Sequence, residues 1–166
     1  MNDIKHSLDI SLFARSDIAP AFDKSNVPIV FGSDENYLPY LKVTLKSILS
    51  NTHDRNLDIL IFHDSLTDEI QDNFILSITK QDNLSIRFVN IKNVIDTTSV
   101  NSFVQKNHIS VASIYRLFLP YVLTEYDKVL YLDTDIIVCN NIGNLFDIDL
   151  EDNLIGAARD IFFEKN

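Results

Sequence analysis

Cysteine occurs once in these 166 residues, at Cys139. No disulfide can therefore form within the chain, and a reducing compartment is permitted. Glycine occurs three times and proline four times, too few for a flexible or extended linker architecture. No stretch approaches the roughly 20 apolar residues of a membrane-crossing helix. Residues 1–20 lack both a basic flank and a long apolar core, so neither a signal peptide nor a span is expected there. Basic residues are also scarce: 14 Lys and Arg stand against 24 Asp and Glu, for a formal net charge of −10. That shortage disfavours a nucleic-acid partner, which needs a basic surface, and fits poorly with direct binding to anionic lipid. An acidic protein can still handle a diphosphate if a metal supplies the positive charge.

What is present is a globular composition, 46% hydrophobic and 23% charged, of a length that suits one domain. Residues 1–26 carry the weakest pattern and are read as an N-terminal extension, with His6 a surface residue. Val27–Phe31 is a short apolar run broken by Gly32-Ser33-Asp34-Glu35-Asn36, which reads as a strand and its loop. Leu38, Leu41, Leu45, Ile48 and Leu49 then fall at helical spacing over about 37–50, with Asn36 as the expected cap and Pro39 in the first turn. Leu57–His63 reads as a second buried strand. Thr67, Asp68 and Glu69 open a second helix whose apolar stripe is Ile70, Phe74 and Ile78. Leu84–Ile91 alternates as a third strand.

This βαβαβ opening predicts a mainly parallel, doubly wound sheet with ligands at the carboxyl ends of its strands. A short helix is expected near 100–106. Ser110 is expected to cap a helix over 111–119, closed by Pro120 and Tyr121, with Ile114, Leu117 and Phe118 in the core. Arg116 is one basic residue in that apolar helix, and is read either as salt-bridged or as ligand-binding. His108 is read as a loop residue. Residues 154–158, Leu-Ile-Gly-Ala-Ala, read as a further short strand.

The chain is organised around Lys128-Val-Leu-Tyr-Leu-Asp-Thr-Asp-Ile-Ile-Val138, a predicted buried strand running into two carboxylates. On an extended backbone Asp133 and Asp135 share a face and Thr134 turns away. Two convergent carboxylates suit a hard divalent cation, and such a cation suits a diphosphate. With 19 Asp in the chain, about two Asp-x-Asp triplets arise from composition alone. A second, Asp147-Ile148-Asp149, is present and is read as solvated loop or helix-end acids. The weight of the first triplet comes from the apolar residues on both sides of it. The competing reading of Asp133 and Asp135 is strand-end turn chemistry.

Four stretches, in order, resemble the retaining glycosyltransferases of family 8, especially bacterial lipopolysaccharide and lipooligosaccharide galactosyl- and glucosyltransferases. They are Ile29-Val-Phe-Gly-Ser-Asp-Glu-Asn-Tyr37, His108-Ile-Ser-Val-Ala-Ser-Ile-Tyr-Arg-Leu117, Asp127-Lys-Val-Leu-Tyr-Leu-Asp-Thr-Asp135 and Ile155-Gly-Ala-Ala-Arg-Asp160. The resemblance implies an α/β, Rossmann-like GT-A nucleotide-diphospho-sugar transferase fold over residues 27–166. It implies a UDP-hexose donor, a saccharide or lipid-linked saccharide acceptor, and Mn²⁺ or Mg²⁺. By the same resemblance Tyr37 stacks on uracil and Asp34 and Asn36 contact the base. Gly32, Ser33, Arg116, Asp133 and Thr134 also fall in the donor-binding set, Asp133 and Asp135 ligate the metal, and Arg116 and Asp160 line the donor sugar as the catalytic pair. His108 lies in a segment near the sugar pocket.

The chemistry implied is metal-dependent hexosyl transfer with retention, in lipopolysaccharide or other surface-glycan synthesis. The implied location is cytoplasmic, compatible with peripheral placement at the inner face of the membrane. Family members continue beyond the position of Asn166 with a His metal ligand, further diphosphate contacts and most of the acceptor site. The domain is therefore expected to be incomplete at its C-terminus. Two other readings stand beside this one: a truncated, non-catalytic nucleotide-sugar-binding domain, and an unrelated α/β domain whose acids are all structural.

Overall fold

The computed structural model describes residues 18–93 and 115–159. Strand β1 (Asn26–Gly32) has its five interior residues buried, and β2 (Asn56–His63) is buried from Leu57 onward. Strands this apolar throughout belong in the middle of a parallel sheet covered on both faces. The observed sheet has four strands in the order β3-β2-β1-β4, all parallel, where β3 is Leu84–Asn90 and β4 is Leu130–Tyr131.

Alternate residues of β1 and β2 supply two separate cores, as the two-residue period of a strand requires. Val27, Ile29, Phe31, Leu57, Ile59 and Ile61 pack on one face with Leu41, Leu45, Ile48 and Phe74 from the helices. Val30, Leu60 and Phe62 pack on the other with Tyr115, Leu119, Val122 and Leu123. A buried Leu- or Ile-sized side chain contributes about 1.5–3 kcal/mol, so these two clusters hold the sheet between its covers.

Helix α1 (Leu38–Asn51) buries Leu38, Leu41, Thr44, Leu45 and Ile48, with Pro39 in its first turn. It is entered through a 3₁₀ turn at Glu35–Tyr37. Here the sequence reading is corrected: Asn36 does not cap α1, whose N-cap position is Tyr37 with no side-chain bond, and Asp34 caps the 3₁₀ turn instead. Asp34 is extended and its carboxylate accepts from the Tyr37 amide at 3.1 Å, whereas Asn36 lies inside the turn. Helix α2 (Asp68–Leu76) begins as expected, with the Thr67 hydroxyl accepting from the Ile70 amide and Asp68 and Glu69 in the first turn.

Four further expectations are corrected. The strand expected to carry the Asp-Thr-Asp triplet is only the two residues of β4. Beyond Leu132 the backbone leaves the sheet, because its polar groups bond to side chains of α1 instead of a neighbouring strand. Pro120 does not close a helix; it stands in the first turn of α3 (Leu119–Val122), where a missing N–H costs nothing. Leu117, expected in the core, is exposed. Residues 154–158 form no strand, and Leu154 and Ile155 are 97% and 81% exposed. Among the described residues no neighbouring strand pairs with that segment, so its apolar run has no ladder to join. The helix expected near 100–106, and residues 111–114 of the next one, lie outside the described residues.

Helix α4 (Ile142–Phe146) is capped by Asn141, which accepts from the Gly143 amide at 2.8 Å. Asp147 ends α4 and pairs with Arg55. Asp149 accepts from the Glu151 amide at 2.9 Å. Both are loop and helix-end acids, as read from the sequence. The described end of the N-terminal extension is bonded to the sheet: the Ala21 amide donates to Asp58 at 3.0 Å, and the Ala19 carbonyl accepts from Arg87 at 2.9 Å.

Candidate functional site

Between β1 and β4 the strand order reverses, and in open α/β sheets ligands bind at that point, beyond the carboxyl ends of the strands. Register brings the two outgoing loops together. Ile29 faces Leu130, Val30 faces Tyr131, and the Leu132 amide donates to the Val30 carbonyl at 3.1 Å. Asp133 follows directly. On the neighbouring strand Gly32 ends β1 without a left-handed backbone angle. Ser33 is buried, and its amide donates to the Phe62 carbonyl at 2.9 Å. That bond anchors the loop carrying Asp34, Asn36 and Tyr37.

The second loop has its own anchors. Thr44, Ser47 and Asn51 recur at helical spacing along α1. The Thr44 hydroxyl oxygen lies 2.7 Å from the carbonyl oxygens of both Thr134 and Ile136. Ser47 Oγ accepts from the Val138 amide at 2.9 Å, and Asn51 Nδ2 donates to the Val138 carbonyl at 2.8 Å. These polar residues fix an irregular loop that no strand supports. The sequence signal for them was three hydrogen-bonding side chains on the helix whose other face is apolar.

The held loop presents its side chains alternately. Asp133 is exposed, Thr134 is buried and Asp135 is exposed, so Thr134 turns away as expected and contributes its backbone carbonyl to the anchor. Asp135 joins Asn36, Tyr37 and Tyr40 around a cleft of about 400 Å³. Tyr37 and Tyr40, 47% and 58% exposed, are tilted against each other with centroids 5.8 Å apart. Tyr40 escaped the sequence reading because one tyrosine among helix residues carries no distinctive spacing.

Asp133 lies beside Arg116, whose Nη2 is 3.7 Å from its Oδ1. The Arg116 guanidinium also stands over the ring of Tyr131, 4.8 Å from its centroid. Burial raises the Tyr131 hydroxyl pKa; Arg116 opposes that shift and Asp133 adds to it. Tyr115, next to Arg116, is buried, and burial together with the Asp64 and Asp34 carboxylates pushes its hydroxyl well above the ordinary value. The structure thus gathers Ser33, Asp34, Asn36, Tyr37, Arg116, Asp133 and Asp135 about one edge of the sheet. Asp160 and His108 lie outside the described residues.

A second concavity of about 440 Å³ opens at the opposite end of the sheet, lined by Ser25, His53, Asp54, Arg55, Asn56, Gln81 and Asn83. It sits at the amino ends of β2 and β3, and its Arg55 is engaged by Asp147. Chemistry in parallel sheets belongs to the other edge.

The chain is similar to known glycosyltransferases. The chain is 38% identical over 136 residues to glycosyltransferase GlyF of Streptococcus pneumoniae, an alignment covering 81% of this chain and 32% of that protein. It is 29% identical over 156 residues to the lipopolysaccharide 1,3-galactosyltransferase of Salmonella typhimurium, covering 93% and 43%. The crystal structure of galactosyltransferase LgtC with donor and acceptor sugar analogs superposes with a TM-score of 0.66 at 28% identity, covering 84% of this chain and 49% of that one. The chain therefore spans about a third of the length of GlyF and under half of the Salmonella enzyme. Its α/β fold is that of GT-A glycosyltransferases. With that family's model matching residues 28–166, the chain belongs to glycosyl transferase family 8.

Proposed function

We propose that this chain is the donor-binding part of a glycosyltransferase that moves a hexose, galactose or glucose, from a UDP-sugar to a saccharide or lipid-linked saccharide acceptor, with retention. The observation that carries the reading is the meeting of two loops at one cleft. The β1 loop brings Asn36 and Tyr37, joined by Tyr40 from α1, and the β4 loop brings Asp135. An exposed aromatic ring beside polar groups suits a base, which stacks on the ring and is oriented by a few hydrogen bonds. Asp34, whose carboxylate already caps the 3₁₀ turn under Tyr37, holds that ring's backbone in place.

Asp133 and Asp135 would hold a divalent cation, Mn²⁺ or Mg²⁺. Both are exposed carboxylates flanking a buried residue, and hard oxygens are the right donors. Among the described residues no group of three ligating side chains gathers, so the two carboxylates would need oxygen ligands from the donor or from water beside them. When bound, the cation stabilises the charge that builds on the UDP leaving group. Arg116 supplies a further positive charge on the same side, and Asp160 is proposed to line the donor sugar with it. Similarity to the Salmonella enzyme supports a role in surface-glycan synthesis. A cytoplasmic reaction, peripheral at the inner face of the membrane, accords with this reading and with the exposed thiol of Cys139.

A second reading is a nucleotide-sugar-binding domain without transfer activity; among the described residues Asp133 and Asp135 have no third ligating side chain beside them. Calorimetric titration of UDP with and without Mn²⁺ tests the site. Mn²⁺ should strengthen UDP binding in the unmodified chain, and Asp133→Asn or Asp135→Asn should each abolish that coupling. Unchanged UDP affinity with Mn²⁺ would return both acids to turn chemistry. Turnover of UDP-hexose onto a sugar acceptor separates the two readings.

A further inference from the structure

Resting on that reading of Asp133, we propose that Arg116 is a resident counter-cation of Asp133, seated on the Tyr131 ring, and that it transfers to a donor phosphate when Asp133 turns to a divalent cation. Three features of the geometry carry this. The Arg116–Asp133 separation of 3.7 Å is an ion pair beyond good hydrogen-bond length, so it is readily given up. The two side chains are 45% and 62% exposed, and exposed pairs bind weakly. The guanidinium is nevertheless held 4.8 Å above the Tyr131 ring, and Tyr131 is fixed by its pairing with Val30 in the sheet. Arg116 touches both the Tyr131 ring and the Asp133 carboxylate, so the two lie on one side of the chain.

The arrangement has a physical consequence. Without a ligand, Arg116 partly neutralises Asp133 in a chain of net charge −10, where an uncompensated pair of neighbouring carboxylates would repel. A dication on Asp133 repels the guanidinium, and Arg116 loses that partner. Its seat on Tyr131 keeps it close by, where the phosphate oxygens of a nucleoside diphosphate offer a charge-assisted, two-pronged partner. Arg116 therefore opposes metal binding alone and favours metal and diphosphate together. Tyr131 acts through Arg116 as a positioning residue.

The test is calorimetry on the full 166-residue chain, with Mn²⁺ alone and then with UDP at saturating Mn²⁺. Arg116→Gln should bind Mn²⁺ alone about three- to fivefold more tightly, the strength of an exposed ion pair. The same variant should bind UDP with Mn²⁺ about tenfold more weakly, since a hydrogen bond to a charged group is lost. Changes of opposite sign exclude general damage to the fold. Tyr131→Phe keeps the ring but removes the hydroxyl that Arg116 also bonds, so it should move both affinities less than Tyr131→Leu, which should move them about two- to threefold towards those of Arg116→Gln. If Arg116→Gln binds Mn²⁺ no more tightly while the unmodified chain retains its coupling of Mn²⁺ to UDP, the counter-cation role is overturned and the donor-site reading survives. If Tyr131→Leu leaves both affinities unchanged, the seat is overturned. If the unmodified chain binds neither Mn²⁺ nor UDP, the donor-site reading itself fails.

Discussion

Thr44 donates its hydroxyl to the backbone carbonyl of Thr134, 2.7 Å away and 90 residues further along the chain. The same oxygen lies equally close to the Ile136 carbonyl, so a single proton serves both acceptors in turn. Through this contact a helix that follows β1 fixes the loop that follows β4. Thr44→Val keeps the shape and removes the donor, leaving a buried carbonyl unsatisfied. The expected loss is about 1–3 kcal/mol, read as a lower urea midpoint, and Thr44→Ser should recover most of it. Thr44→Val should also weaken the effect of Mn²⁺ on UDP affinity, which Thr44→Ser should preserve.

Tyr37 leads to a prediction about the base. UDP should bind better than ADP or GDP, and Tyr37→Ala should weaken UDP by tenfold or more, since base stacking on an aromatic is worth about 1–3 kcal/mol. Competition titration with the three nucleotides checks this. Equal affinity for all three would remove Tyr37 and Asp34 from base recognition.

Behind the sheet a buried polar cluster sets up an asymmetry. Asp58 is fully buried, with Arg87 Nη2 at 2.7 and 2.8 Å from its two oxygens and the Tyr126 hydroxyl at 2.9 Å. Arg87→Ala leaves a buried carboxylate without its cation, which costs about 3–5 kcal/mol. Asp58→Ala should cost less, because the Arg87 side chain is 32% exposed and can turn to water. Denaturant unfolding of the two variants should rank them in that order. The reverse order would mean that Arg87 depends on Asp58 more than Asp58 does on Arg87.

His63, at the end of β2, is buried, and its Nδ1 accepts from the Leu66 amide at 3.1 Å. Burial, with Lys92 adding to it and Asp64 opposing, lowers its pKa below the ordinary 6.5. The folded chain therefore keeps this ring neutral where the unfolded chain has begun to protonate. Below about pH 6.5 the unfolded state binds more protons, so stability falls as the pH falls. Urea unfolding between pH 7.5 and 5 should show this slope, and His63→Asn should flatten it. An unchanged slope in the variant would assign the acid sensitivity to other groups.

The sequence alone determined the parallel core. Val27–Phe31 and Leu57–His63 are apolar at every register position bar Pro28 and Asp58 before their final residue, and only a strand covered on both faces buries such a run. The leucines of α1 and the Thr-Asp-Glu start of α2 were equally legible, because helical period and cap chemistry are local. Asp133, Asp135 and Tyr37 were singled out by four ordered motifs that resemble a family, and the family match now covers residues 28–166.

Other features were decided by tertiary contacts. Helix α1 has no side-chain cap, from Asn36 or any other residue, because the chain first makes a 3₁₀ turn, itself capped by Asp34, whose geometry no composition encodes. The strand expected through Val138 stops at Tyr131, since Thr44, Ser47 and Asn51 bind the backbone that a neighbouring strand would otherwise have paired. Leu154 and Ile155 look like strand residues, yet lie exposed with no partner strand among the described residues. The seating of Arg116 on Tyr131 beside Asp133 joins residues 15 and 17 positions apart in the chain. Local sequence fixes which side chains a segment carries; which of them meet across 15 or 90 residues depends on how the sheet stacks its strands.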